Sequence, residues 1–124
     1  MDFKESKSIF LQIADRLCDE ILQGRFKEGE RMPSVREYAE LMEVTNNTAL
    51  RSFDHLQSLG IIFNKRGLGY FVADGARKTI LTSRRKKFMS EDVYEFLRQL
   101  RTLDIPMQSI VDIYNSMDNK EENK

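Results

Sequence analysis

The segment Pro33–Val72 limits the fold more than any other part of this 124-residue chain. It reads PSVREYAELMEVTNNTALRSFDHLQSLGIIFNKRGLGYFV. Two short helical patterns are parted by a polar break, and an apolar strand, a basic glycine-containing turn and a second apolar strand follow. Ser34 with Glu37 three residues later is a capping box, in which each side chain satisfies a backbone N–H at the helix start. Val35, Tyr38, Ala39 and Met42 then space an inner face at helical period. Glu43 to Asn47 is the break, with Val44 as its apolar plug. Thr45 is a capping residue for a second helix predicted over Asn46–Ser58, with Ala49, Leu50, Phe53, Leu56, Gln57 and Leu59 on its inner side. Ile61–Phe63 and Tyr70–Val72 flank the turn Asn64–Gly69 and read as a hairpin. The order helix, turn, helix, hairpin is that of a winged helix-turn-helix, a shape that sets one helix in a DNA groove.

The flanks read as support. Ile9, Ile13, Leu17 and Ile21 recur every four residues and predict a helix from Ser8 to Gln23, capped by Ser8. Arg31 and Met32 form a very short strand. After Gly75 the character changes. Arg77, Lys78, Arg84, Arg85, Lys86 and Lys87 fall in a span without an acid. Ser90-Glu91-Asp92 is a second cap signal, and Val93, Phe96, Leu97 and Leu100 form an amphipathic stripe. This predicts one long helix kinked near Ser90, or two in succession. Leu103–Pro106 is a break, and Ile110, Val111, Tyr114 and Met117 mark a last short helix. The fold class is therefore mainly α with a small β-hairpin. Residues 1–75 are expected to form a winged helix-turn-helix DNA-binding domain and residues 76–124 a helical C-terminal dimerisation extension.

Composition excludes several function classes. No apolar run approaches the ~18 residues of a membrane span. The N-terminal MDFKESKS lacks the apolar segment of a secretory signal, so the cytoplasm is the expected compartment. With one cysteine, Cys18, and one histidine, His55, there is no disulfide framework and no shared zinc site, and no metal or cofactor is expected. No Cys/His pair, paired carboxylates or phosphate-cradling loop points to an enzyme. The chain carries 20 basic and 20 acidic residues. A surface for polyanionic DNA must therefore work by local placement rather than bulk attraction.

The central segment supplies that placement. Thr45, Asn46, Asn47 and Thr48 open the second helix with small hydrogen-bonding side chains that reach base edges without holding the helix off the groove floor. The free N–H groups of the helix start favour a phosphate. Arg51, one turn on, reaches a base or a phosphate, and Arg36 opens the first helix where a duplex backbone would pass. Lys65 and Arg66 at the wing tip suit the minor groove or its phosphates, with Gly67 and Gly69 allowing close backbone approach. In the tail, Val93, Phe96, Leu97, Leu100, Ile110, Val111 and Tyr114 are the expected dimer face; folding this stripe back on the chain's own winged helix is the alternative. Two helices can hardly enclose a pocket of ~300 Å³, whereas two copies read two half-sites together.

The run from Ile9 to Ala73 resembles the DNA-binding domain of the GntR family of bacterial transcription regulators. The resemblance rests on Ile-Leu-Gln-Gly, Gly-Glu-Arg-Met-Pro-Ser-Val-Arg-Glu, Val-Thr-x-Asn-Thr, Leu-x-x-x-Gly-Ile and Arg-Gly-x-Gly-x-Phe-Val. The short C-terminal extension is similar to that of the YtrA branch, which carries a roughly two-helix dimerisation tail. The resemblance implies that Arg36 contacts the DNA backbone, that Thr45 to Thr48 contact bases and phosphates, and that the wing glycine near the minor groove is Gly67 or Gly69. Leu50 stands where many members have an arginine, and Asn46 where Arg or Pro is common. The expected function is a sequence-specific transcription regulator: a repressor that binds an inverted-repeat operator in double-stranded DNA as a homodimer and controls genes such as a transporter operon. A small-molecule effector is not specified. A winged helix used for protein docking is the other reading; it would expose apolar residues where this chain has Thr45 to Thr48.

Overall fold

The computed structural model describes residues 7–122. Six α-helices and one hairpin follow in the order α1 (Ile9–Leu22), α2 (Val35–Met42), α3 (Asn46–Ser58), β1 (Ile62–Lys65), β2 (Gly69–Val72), α4 (Ala76–Lys87), α5 (Val93–Thr102) and α6 (Met107–Glu122). The chain divides into two compact units between Ser83 and Arg84, inside α4.

In the first unit, α1 lays Ile13, Leu17 and Ile21 into one core with Tyr38 of α2 and Phe53 and Leu56 of α3. Phe53 is the hub. Its ring stands edge-on to Tyr38 at 6.0 Å and to Tyr70 of β2 at 4.9 Å, so a single fully buried side chain ties α2, α3 and the hairpin together. Truncating such a residue to alanine costs about 3–5 kcal/mol. Both capped starts form locally. Ser34 Oγ accepts from Glu37 N at 3.1 Å and Glu37 Oε1 accepts from Ser34 N at 3.1 Å. Thr45 Oγ1 accepts from Thr48 N at 3.1 Å. Ser8 takes the N-cap position of α1 in extended conformation, but its side chain makes no capping bond, contrary to expectation.

The hairpin is antiparallel with Ile62 opposite Val72 and Lys65 opposite Gly69. It is longer toward its tip than the residue types suggested, because Asn64, Lys65 and Gly69 join the ladder. The Glu30–Met32 segment pairs on the other edge of β2. Arg31 bridges Phe71, Met32 N donates to Tyr70 O at 2.8 Å and Val72 N donates to Glu30 O at 3.0 Å. The first turns of α4 also belong to this unit: Ala76 and Ile80 lie in its core.

In the second unit the end of α4 runs through a π-helical turn, Phe88–Asp92, into α5. The Ser90-Glu91-Asp92 signal therefore starts no new helix. Ser90 lies inside this wider turn, which re-phases the following stripe by an extra residue. Asp104, at φ 53°, ends the α5 run. Then α6 runs sixteen residues, well past the short helix around Ile110–Met117 that its apolar positions marked. Among the described residues no helix is long and apolar enough to cross a membrane.

Candidate nucleic-acid interface

The second helix of the helix-turn-helix is aimed by its preceding turn. Glu43 adopts a left-handed conformation, φ 56° and ψ 47°, and its N–H closes the last turn of α2 on Ala39 and Glu40 carbonyls. Val44 then packs against the core. This reversal brings the N-terminus of α3 to the surface with Thr45, Asn46 and Asn47 exposed. The hydroxyls of Thr45 and Thr48 are committed to each other, with Thr45 Oγ1 donating to Thr48 Oγ1 at 3.0 Å. The structure thus divides the four polar residues: the threonines build the helix start, and the amides of Asn46 and Asn47 face outward.

The inner face of α3 is Ala49, Ser52, Phe53 and Leu56. Leu50, Gln57 and Leu59, expected inside, are exposed, because the buried stripe at spacing three and four passes between them. Ser52 takes an inner place instead, its hydroxyl donating to the Phe10 carbonyl of α1 at 2.7 Å. Leu50 therefore lies one turn beyond Asn46 on the outer side, where an apolar contact suits a thymine methyl. Its spacing of four from Asn46 was the available signal.

Arg51 is exposed and lies over the Phe10 ring, its guanidinium carbon 4.2 Å from the centroid. His55 meets the same ring edge-on at 6.3 Å. The aromatic face restricts a long cationic side chain at a cost in mobility that the attraction offsets by about 0.5–1 kcal/mol. Arg36 is exposed in the first turn of α2.

The wing carries Lys65, Arg66 and Gly67 exposed around its tip, with Gly67 at φ 80° closing the turn. Lys65 Nζ sits 5.2 Å from the Phe71 ring centroid, and Phe71 stacks on Phe63 at 5.8 Å and 20°. Gly69, at φ 102°, is partly covered by Arg31: a Cβ at this position would meet Arg31 Nε at 3.2 Å. The space beside Gly69 is therefore taken by a side chain of the same molecule.

The residues assigned to self-association fall in the second unit. Phe96, Leu97, Val111 and Tyr114 are exposed, Val93 and Ile110 half-buried, and Leu100 is covered within the chain at 7% exposure. Phe88, Met89, Tyr94, Ile113 and Met117 add to the exposed apolar surface and lie outside the set expected to form a dimer face.

Comparison with known proteins agrees with this geometry. The bacterial regulatory proteins of the gntR family match residues 10–72. A crystal structure from Bacteroides thetaiotaomicron, described as a transcriptional regulator of the GntR family, aligns with a TM-score of 0.83 and 48% identity over 91% of this chain and 99% of that one. The uncharacterized HTH-type transcriptional regulator YhcF of Bacillus subtilis (strain 168) is 32% identical over 110 residues, 89% of each chain. The HTH-type transcriptional repressor YtrA of the same organism is 32% identical over 81 residues, 65% of this chain and 62% of its own length. Half of this chain matches the family and its likeness to relatives runs nearly end to end, so it belongs to the GntR family of bacterial transcription regulators, proteins with a DNA-binding helix-turn-helix fold and not enzymes.

Proposed function

We propose that the chain is a cytoplasmic repressor that binds an inverted-repeat operator as a homodimer. In this reading residues 1–75 contact DNA and the extension over residues 76–124 pairs two copies. The observation that carries it is the surface at the start of α3. Asn46 and Asn47 stand free of the cap, Leu50 and Arg51 follow on the exposed side, and the cation-bearing wing belongs to the same unit. Asparagine makes a bidentate contact with adenine, and Arg36, Lys65 and Arg66 supply phosphate partners that fix register without reading sequence. One such helix reads few base pairs. Pairing through the exposed apolar side chains of the second unit doubles the site and makes the operator palindromic. The similarity to the repressor YtrA supports repression, by occlusion of a promoter. The genes beside its own, a transporter operon among the candidates, are the expected targets.

The test is a gel shift of the purified protein on fragments of its own upstream region and on duplexes selected from a random-sequence pool. Arg36→Ala is expected to weaken all duplexes alike, and Asn47→Ala to weaken the selected sequence by about 1–3 kcal/mol. Undiminished binding by both variants removes the site assignment. Failure of the wild-type protein to select any sequence removes the function.

A further inference from the structure

The outward face of the wing brings together residues far apart in sequence. Side chains alternate across a strand. Ile62, Tyr70 and Val72 therefore face the core, while Phe63, Lys65, Gly69 and Phe71 share the opposite face. Arg31 joins that outer face from the far edge of β2, through its bridge to Phe71. Its guanidinium lies where a side chain at Gly69 would stand, with Nε 3.2 Å and Nη2 3.5 Å from the position of a Cβ. The glycine thus has a reason beyond its φ of 102°: it leaves a gap that the arginine fills.

Two cations, Arg31 and Lys65, therefore border one stacked phenylalanine pair. Among the described residues neither is held in an ion pair. Arg31 also stands three residues before Ser34, the N-cap of α2. The Glu37 carboxyl is held below its ordinary value by its hydrogen bonds to the Ser34 backbone and side chain and, as a smaller cause, by the charge of Arg31. The backbone of Arg31 pairs with the wing, and the chain runs from it directly into the helix end that carries Arg36. These are the two elements that would flank a duplex backbone. Arg31 is exposed beside Gly69, and its planar fork matches phosphate oxygens.

We propose that Arg31 is a further phosphate-contacting residue of the DNA interface, positioned for that contact by the gap at Gly69. The inference rests on the DNA-binding reading above and adds to it a residue and a role for the second wing glycine.

The experiment measures affinity for a duplex that the wild-type protein has selected from a random-sequence pool, over a series of salt concentrations. Arg31→Ala is expected to bind roughly tenfold more weakly. The slope of log affinity against log salt should fall in magnitude by about 1, and Arg31→Lys should restore it. A merely structural role would move the melting temperature and leave the slope alone. Gly69→Ala should lower the slope in the wild-type background and leave it unchanged in Arg31→Ala; its backbone strain is common to both and cancels. A wild-type protein that binds with a slope equal to that of Arg31→Ala overturns the inference alone. A wild-type protein that selects no duplex overturns the DNA-binding reading and this inference with it.

Discussion

The Tyr38 hydroxyl donates a 2.5 Å hydrogen bond to Glu20 Oε1 within the core, and Arg25 Nη1 holds the other carboxylate oxygen at 3.1 Å. The pair joins α1 to α2, the helix that bears Arg36. Removing the hydroxyl leaves a buried carboxylate short of a donor, so Tyr38→Phe is expected to destabilise the fold by about 1–3 kcal/mol in urea unfolding. Burial first, then the bond to Glu20 and its charge, push the Tyr38 hydroxyl far above its ordinary value of 10.0. The native state therefore keeps a proton that the unfolded chain loses near that value. The contribution is whole below about pH 10 and declines above it, so the gap between wild type and Tyr38→Phe should narrow as the pH rises past 10.

Ser34→Ala removes half of the capping box and should cost about 1 kcal/mol. The same box holds the Glu37 carboxyl below its ordinary 4.5. Its contribution is present above the unfolded value and is lost as the pH falls through the lowered folded one. Wild type and Glu37→Gln should therefore converge in stability on acidification below about pH 4. Denaturant midpoints across that range check this.

Glu43 occupies a left-handed conformation that costs an ordinary residue about 1–2 kcal/mol. Glu43→Gly relieves it and should raise stability by about 1 kcal/mol, seen as a melting temperature several degrees higher. An unchanged or lower midpoint would mean that the glutamate is held by contacts worth more than the strain.

Arg51 and Phe10 should behave as one unit in DNA binding. Phe10→Leu is expected to weaken operator affinity by about 0.5–1 kcal/mol by releasing the guanidinium. In an Arg51→Ala background the same change should have no further effect on affinity. A double-mutant cycle on the selected duplex reads this directly.

Phe96 and Tyr114 are 44% and 67% exposed, so a charge there leaves the single chain intact. Phe96→Glu with Tyr114→Glu should weaken self-association by about 2 kcal/mol or more and shift the sedimentation profile to monomer. If the wild type is a dimer as proposed and the double variant remains one, the interface lies elsewhere.

The sequence revealed those parts of the fold whose signals are local. The capping box at Ser34, the threonine cap at Thr45 and the alternating hairpin each act within a few residues, and α2, α3 and the wing lie where they point. It misled where residue type and position disagree. Leu50 and Leu59 are apolar but stand off the buried stripe of α3, while Ser52 is polar and buried because a backbone carbonyl of α1 receives its hydroxyl. Ser90 has the chemistry of a cap yet lies within a helical run, since the π turn absorbs the change of phase. The Arg31–Gly69 fit had no signature at all, because strand pairing alone brings the two residues together.

The start of α4 sets where this protein could be divided. Glu28 Oε1 accepts the Gly75 N–H at 2.7 Å and Oε2 the Arg77 N–H at 3.3 Å, while Arg77 Nη1 donates to the Leu22 carbonyl at the end of α1. With Ala76 and Ile80 in the same core, the helix is sealed to the winged unit from its first turn. A fragment cut after the hairpin would open that core and remove the two N–H groups that Glu28 accepts from. Any graft that exchanges the tail for another oligomerising module must keep the chain to about Ser83, so the junction available to recombination lies within a helix and not at the loop that follows the wing.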